Sequence, residues 1–279
     1  MLEIFQASTR ALENGEPIAI AIIIQAESRW NVGAKLLIRR DGSTLGTLGD
    51  ERLTQLILPI AQRAIHAGHG PRIAFKERDH ALVQASPLEA GDVEIFVQVL
   101  LPSPTLLLIG AGHIGEALIR LAKMVKWRVV VVDDRKDFLA PERLPDADER
   151  ILVPYDAATE TLAPMPIVIT PSTFIVVATW GWDEPALRQI ANSPAAFIGL
   201  VASSRKAIII FRELIKEGVS AKALARIHVP VGLDLGGETP PEIALAIMAE
   251  VLMASRGGSG EPLTRSKGSV IMKQARGDR

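Results

Sequence analysis

The chain has no cysteine among its 279 residues, which excludes a disulfide framework, a thiolate metal site and a cysteine nucleophile together. Aromatic residues make up only 4%, with a single tyrosine, Tyr155, so the core must be built from aliphatic side chains, as buried parallel strands are. Neither sign of charge dominates: 31 Lys and Arg stand against 32 Asp and Glu, and nothing in that balance calls for nucleic acid as a partner. The N-terminal run IAIAIII, bounded by Pro17 and Gln25, is too short to span a bilayer. The amphipathic, charge-bearing segment before it lacks the basic start of a secretory signal. A cytoplasmic protein with no membrane partner is expected, and the aliphatic surplus favours a homodimer. His66, His69, His80 and His228 have no partner at ligand spacing, so no metal site is expected.

What is present is concentrated in LLLIGAGHIG, residues 106–115, where an apolar run of strand length passes into Gly110, Gly112 and Gly115 at GxGxxG spacing. Gly110 permits the tight turn, Gly112 lets backbone approach a pyrophosphate, and Gly115 lets the next helix pack closely with its free N–H groups aimed at negative charge. Residues 116–125 follow as an amphipathic helix through Ala117, Leu118, Leu121 and Val125, and residues 128–134 as a second buried strand. Asp133 falls roughly 20 residues past the loop, where this pattern places the carboxylate that takes a ribose hydroxyl pair. The same Asp133, Asp134 and Arg135 also suit a solvated strand end with an ion pair. An acid alone favours NAD, whereas an adjacent arginine accommodates a 2′-phosphate, so the two forms of NAD(P) are not separable.

The fold class expected is α/β, with a C-terminal Rossmann-like parallel-sheet domain and a smaller N-terminal α/β domain. Strand patterns at residues 18–26, 34–39 and 72–76, the Asp41-Gly42 turn and a helix over 52–67 fill the first part. A break in texture runs from 86 to 104, and strands alternate with helices from there to 254. The boundaries follow: residues 1–100, residues 101–256, and a Gly-rich polar tail, 257–279, expected to be disordered. No internal repeat is found.

Further blocks carry polar groups at predicted strand ends. FIGLVASSR, residues 197–205, breaks from a strand into Ser203, Ser204 and Arg205, all able to reach phosphate; an ordinary helix start with a serine cap explains them as well. In Pro230 to Glu242, Thr239, Pro240 and Glu242 form a capping-box pattern, which leaves Asp234 and Glu238 for a hydroxyl-rich ligand or as exposed turn acids. TWGWDE, residues 179–184, offers Thr179 and Asp183 with Trp180 and Trp182, whose rings serve either packing or stacking on a ligand. His113 is singled out inside the glycine loop, and Lys35 is either the N-terminal cation aimed at an anionic ligand or an ordinary solvated lysine.

Three segments, LLLIGAGHIGEAL with VVVVDDR (106–135), AAFIGLVASSRKA (195–207) and IHVPVGLDLGGETPPEIALAIMAEVL (227–252), resemble the XdhC/CoxI family, accessory proteins of molybdenum hydroxylases. VGAKLLIRRDGSTLGTLG (32–49) is similar to the family's GAKM…DG…GTIGGG segment. The resemblance implies a Rossmann-like C-terminal domain and a chaperone that binds the molybdenum cofactor as cargo and delivers it to a hydroxylase apoenzyme, with a sulfurtransferase as a further partner. It also implies that Thr179 and Asp183 stand where the family has a Thr-His-Asp-like stretch. The chain departs from the pattern: Asp50, Glu51, Arg52, Leu53 and Thr54 replace two glycines, a cysteine, a leucine and a glutamate; Glu89, Ala90 and Gly91 replace Cys-Gly-Gly; Arg29 and Trp30 replace a proline and an arginine. The soft sulfur ligands best suited to molybdenum are thereby lost, and any grip on the cofactor falls to oxygen and nitrogen donors. The alternatives are an NAD(P)-dependent oxidoreductase, for which Asp183, Glu184 and Tyr155 are the proton-transfer candidates, and a nucleotide-sensing regulator.

Overall fold

The computed structural model describes residues 2–26, 30–76, 78, 81–84, 87–89 and 91–265. Arg29, His80, Ala90 and residues 266–279 of the expected disordered tail lie outside the described residues. The chain divides into two compact units, one of Met1–Pro104 with Thr170–Ser172, the other of Thr105–Ile169 with Thr173–Arg279.

The first unit runs α1 (Leu2–Glu13), β1 (Ile18–Ala26), β2 (Lys35–Arg39), β3 (Thr44–Gly46), α2 (Glu51–Ala67), β4 (Arg72–Lys76), β5 (Ala81–Gln84) and β6 (Val93–Leu100). Its sheet has the order β3-β2-β1-β6-β4-β5, and every pair is antiparallel. Helix α2 starts where the Asp50 carboxylate accepts from Leu53 N at 2.9 Å and stops at Gly68 in the left-handed region, as a capped N-terminus and a glycine C-terminus dictate. Leu53, Ile57, Ala61, Ala64 and Ile65 recur at helical spacing and bury against Ala19, Ala21 and Ile23 of β1 and Val93, Ile95 and Val97 of β6. On another face Ala11 of α1 meets Ile18 and Leu37. Strand β6 lies inside the stretch that reads as a break in texture, yet it is central, between β1 and β4. The masking comes from its polar alternates, Glu94 and Gln98, which interrupt an apolar run without interrupting a period of two.

The second unit runs β7 (Thr105–Ile109), α3 (His113–Met124), β8 (Arg128–Asp133), a short 3-10 turn, β9 (Glu149–Leu152), the small hairpin β10 (Tyr155–Asp156) and β11 (Thr161–Leu162), β12 (Thr173–Val177), α4 (Asp183–Ile190), β13 (Phe197–Leu200), α5 (Ser204–Lys216), α6 (Ala221–Leu224), β14 (Ile227–His228) and α7 (Pro240–Arg256). Its main sheet reads β14-β13-β12-β7-β8-β9 and is parallel throughout. Counted from β7 and leaving out the hairpin, this is the doubly wound Rossmann order, as the sequence predicts. The apolar strands alternate their two buried faces: Leu106, Leu108, Phe174 and Val176 pack with α3 and α7, while Leu107, Ile109, Ile175 and Val177 pack with α4 and α5. After α7 the described part of the tail holds a further helical turn at 263–265. Among the described residues no helix is long and apolar enough to cross a membrane.

Ile247 of α7 is fully buried in the layer between the sheet and α3. Replacing it with alanine should cost about 2–5 kcal/mol, through lost transfer energy and an unfilled cavity. Urea denaturation checks this, and a loss under about 1 kcal/mol would contradict the packing described.

Candidate functional site

Strands β7 and β12 are neighbours, but their helices leave to opposite faces of the sheet, and a crevice opens beyond the carboxyl ends of strands that part in this way. The glycine loop stands at its edge. Gly110 has φ of +109°, and a Cβ there would lie 2.2 Å from the Ala178 carbonyl oxygen; only glycine fits. A Cβ on Gly115 would meet the Gly110 carbonyl oxygen at 2.5 Å, so α3 packs on the loop through bare backbone. Gly112 differs: it caps α3 with no side-chain bond, and a Cβ there would meet nothing within 4 Å. Open space therefore faces the positive end of a 12-residue helix. His113, read from the sequence as part of the loop, is the first residue of α3 and is exposed.

Asp133, the expected ribose acid, is the last residue of β8 and is fully buried. One carboxylate oxygen accepts from Ala111 N at 2.6 Å and from Arg135 Nη2 at 2.9 Å; the other accepts from Arg135 N and Nε, both at 2.9 Å. The carboxylate thus ties the glycine loop to β8. Burial pushes its pKa up, but the bonds from Arg135 and the two amides outweigh burial and hold it below the usual carboxylate range. Asp134 goes the other way, raised by burial and by the charge of Asp133, and accepts from Trp182 Nε1 at 3.1 Å. The Arg135 guanidinium lies over the Phe138 ring, 3.5 Å from its centroid.

At the end of β12 the Thr179 hydroxyl donates to Asp183 at 2.7 Å, and Lys206 Nζ of α5 pairs with the other oxygen of that carboxylate. Asp183 is buried, so its charge is neutralised where water cannot do it. The two tryptophans separate: Trp182 is 1% exposed and part of the core, whereas Trp180 is 89% exposed. Ser203 caps α5, accepting from Lys206 N at 3.3 Å, while Ser204 and Arg205 are exposed at the first turn. Asp234 and Glu238 are exposed in the loop before α7, whose capping glutamate, Glu242, accepts from Thr239 N at 2.9 Å.

Of the proton-transfer candidates, Tyr155 has its phenol pushed up by burial and by surrounding acids, and Glu184 is raised by burial while paired with Arg188. Among the described residues no group of His, Cys, Asp or Glu is disposed to hold a metal ion. Sequence reasoning missed two anchors. Lys206 reads as a solvated lysine, and only its place next to Arg205, at the end of β13, signals the crevice. Glu250 reads as one charge on an apolar helix, yet it accepts from Gly232 N at 2.6 Å and pairs with His228 Nδ1 at 2.7 Å, anchoring the loop that bears Asp234.

The glycines should separate by substitution with alanine. Gly110→Ala and Gly115→Ala should each cost about 2–4 kcal/mol from backbone clash and strain, and Gly112→Ala less than about 1 kcal/mol, all read from denaturation midpoints. Asp133 predicts a pH effect. Its folded pKa is depressed, so its stabilisation is complete above the unfolded value of about 4 and is lost as pH falls through the folded one. Wild-type stability should decline below about pH 5 more steeply than that of Asp133→Asn; equal slopes would contradict the lock.

Residues 106–251 match the family model described as the XdhC Rossmann domain, and residues 11–75 match that of the XdhC and CoxI family. The uncharacterised protein YqeB of Escherichia coli K12 is 31% identical over 262 residues, 93% of this chain and 47% of that protein. A probable xanthine dehydrogenase component of Bacillus subtilis is 28% identical over 166 residues, 58% of this chain and 46% of that protein. The chain thus spans about half the length of the curated relatives it matches. A crystal structure described as a xanthine dehydrogenase of Bacillus halodurans aligns at 18% identity and a TM-score of 0.47, over 90% of this chain and 95% of that one. With the glycine loop and the strands on either side of the crevice inside the matched Rossmann region, and a second match in the N-terminal unit, the chain belongs to the XdhC and CoxI family.

Proposed function

We propose that the protein is an accessory factor of a xanthine-dehydrogenase-type molybdenum hydroxylase, which holds the molybdenum cofactor, in a form that carries phosphate, in the Rossmann crevice and passes it to the apoenzyme. The observation that carries this reading is the open approach to Gly112 at the start of α3, beside the β7–β12 switch point, in a chain of this family. The phosphate groups lie against the backbone N–H groups at the helix start. His113 and Arg205, both exposed, supply hydrogen bonds and positive charge at the rim, and the Thr179–Asp183–Lys206 set holds the opposite wall. Trp180 offers its exposed indole to the planar pterin. Ser204, Asp234 and Glu238 reach the ligand from the two strand ends beyond. This chain supplies no thiol to the metal centre, since it has no cysteine.

The oxidoreductase alternative has less support. Asp133 has both oxygens engaged by the loop and Arg135, and a ribose diol would have to displace Arg135 to reach it. Tyr155 has its phenol pushed further above neutrality, and Glu184 is tied to Arg188 at 2.6 Å, so neither is poised to exchange a proton with a substrate.

Gly112→Val tests the crevice, because its Cβ meets nothing in the fold yet points bulk at the ligand. Titration of the wild-type protein with isolated molybdenum cofactor should show binding that this variant weakens at least about ten-fold, a loss of about 1.4 kcal/mol. Unchanged binding would remove the crevice from the proposal. Tight NADH binding with turnover of a carbonyl substrate, and no pterin binding, would replace it with the dehydrogenase reading.

A further inference from the structure

The first unit contains a cavity of about 530 Å³ that the crevice reading does not use. It is built by the motif that supplies β2, β3 and the entry to α2. Ile4, Trp30 and Leu48 supply the apolar part of its lining, and glycine backbone with Asn31, Lys35 and Thr47 supplies a polar part of similar extent. Trp30 is a fixed wall, buried, donating its indole N–H to the Gly91 carbonyl at 2.7 Å and meeting Phe75 edge-on at 5.8 Å.

The polar groups on the lining point to one class of ligand. Among the described residues that line the cavity, Lys35 carries the one formal charge and none is a carboxylate. Its ammonium makes one bond, to the Gly33 carbonyl at 3.1 Å, and an ammonium has three donors. Thr47 Oγ1 accepts from Gly49 N at 2.9 Å, which leaves the hydroxyl proton free to donate outward. The Asn31 amide adds a further donor. Two of the glycines, Gly33 and Gly49, have φ of +90° and +88°, and a Cβ on either would meet nothing within 4 Å. Backbone without a side chain in front of it lets a bulky anion come close. Pockets of a few hundred cubic ångströms with apolar walls and a few convergent polar groups are the usual form of small-molecule sites.

We infer that this cavity is a second binding site, for a small phosphorylated organic molecule whose phosphate pairs with Lys35 and Thr47 and whose apolar or planar part lies against Trp30 and Leu48. The inference is independent of the proposed role of the Rossmann crevice. It rests on the coincidence of three features in one place: a cavity of this size, a single positive charge among the described residues that line it, and donors with unused capacity. A lysine that only solvated the surface would require none of them.

Calorimetric titration with AMP and with adenosine, both in the Gly112→Val background, separates this cavity from the crevice. AMP should bind, adenosine should bind at least ten-fold more weakly, and Lys35→Met in the same background should weaken AMP at least ten-fold without moving the thermal midpoint. Thr47→Val gives an independent reading, with an expected loss of several-fold. Absence of AMP binding in the Gly112→Val background, equal binding of AMP and adenosine, or AMP binding untouched by both Lys35→Met and Thr47→Val would overturn the inference. Cofactor binding lost with Gly112→Val but kept in Lys35→Met bears on the crevice alone, so the two sites fail separately.

Discussion

The contact between the Gly110 backbone and the Ala178 carbonyl is the constraint on which the second unit depends. Adjacent parallel strands bring the ends of β7 and β12 together, and the chain must turn away from both within a few residues. No side chain fits at Gly110, where a Cβ would stand 2.2 Å from that carbonyl. Gly115 repeats the condition five residues on, in the first turn of α3, letting that helix settle on the loop. Once both are satisfied, the axis of α3 and the place of its free N–H groups are set, and the opening at Gly112 follows from them.

Charge then locks what the glycines allow. Asp133 is a buried carboxylate with its loop and arginine partners in place, and a buried charge is tolerable only when so paired. Its bonds reach from the loop amide at Ala111 to Arg135, and Trp182 joins the neighbouring Asp134 to the β12 side. Asp183 is the counterpart across the switch point, drawing Thr179 and Lys206 onto one buried acid. The walls of the crevice are thus held by two buried acids, each paired with a cation.

The absence of cysteine bears on the first unit. The positions where the resemblance places sulfur hold Arg52, in the first turn of a capped helix, and Glu89, two residues before Gly91, whose carbonyl receives the Trp30 indole. Their neighbours serve the packing: Leu53 is core, and Trp30 is buried against Phe75. A chain without cysteine offers only hard oxygen and nitrogen donors and methionine thioethers at its surface.

Much of this was legible in the chain itself. The run 106–115 determined a strand, a turn and a helix, because the GxGxxG spacing on an apolar run has few other solutions, and the alternation of strands and helices after it determined a parallel doubly wound sheet. The capping pattern at Thr239 and Glu242 determined the start of α7. Local patterns carry such information because turns and caps are decided within a few residues. What a side chain meets across the sheet is not decided there. The residues alone left Asp133 as ribose acid or ion pair, Trp180 and Trp182 as a pair of equal indoles, and Lys206 as a solvated lysine. Tertiary structure turned Asp133 inward to the loop, sent Trp182 into the core and Trp180 into the open, and brought Lys206 onto Asp183. It also placed β6 at the centre of a sheet and closed the 32–49 motif around a cavity, since both outcomes depend on strands far apart in sequence. The sequence determined the glycine loop and the caps, which are local; only the packing of distant strand ends decided which charges are tied into the fold, as Asp133 and Asp183 are, and which stay exposed, as Arg205, Asp234 and Glu238 do.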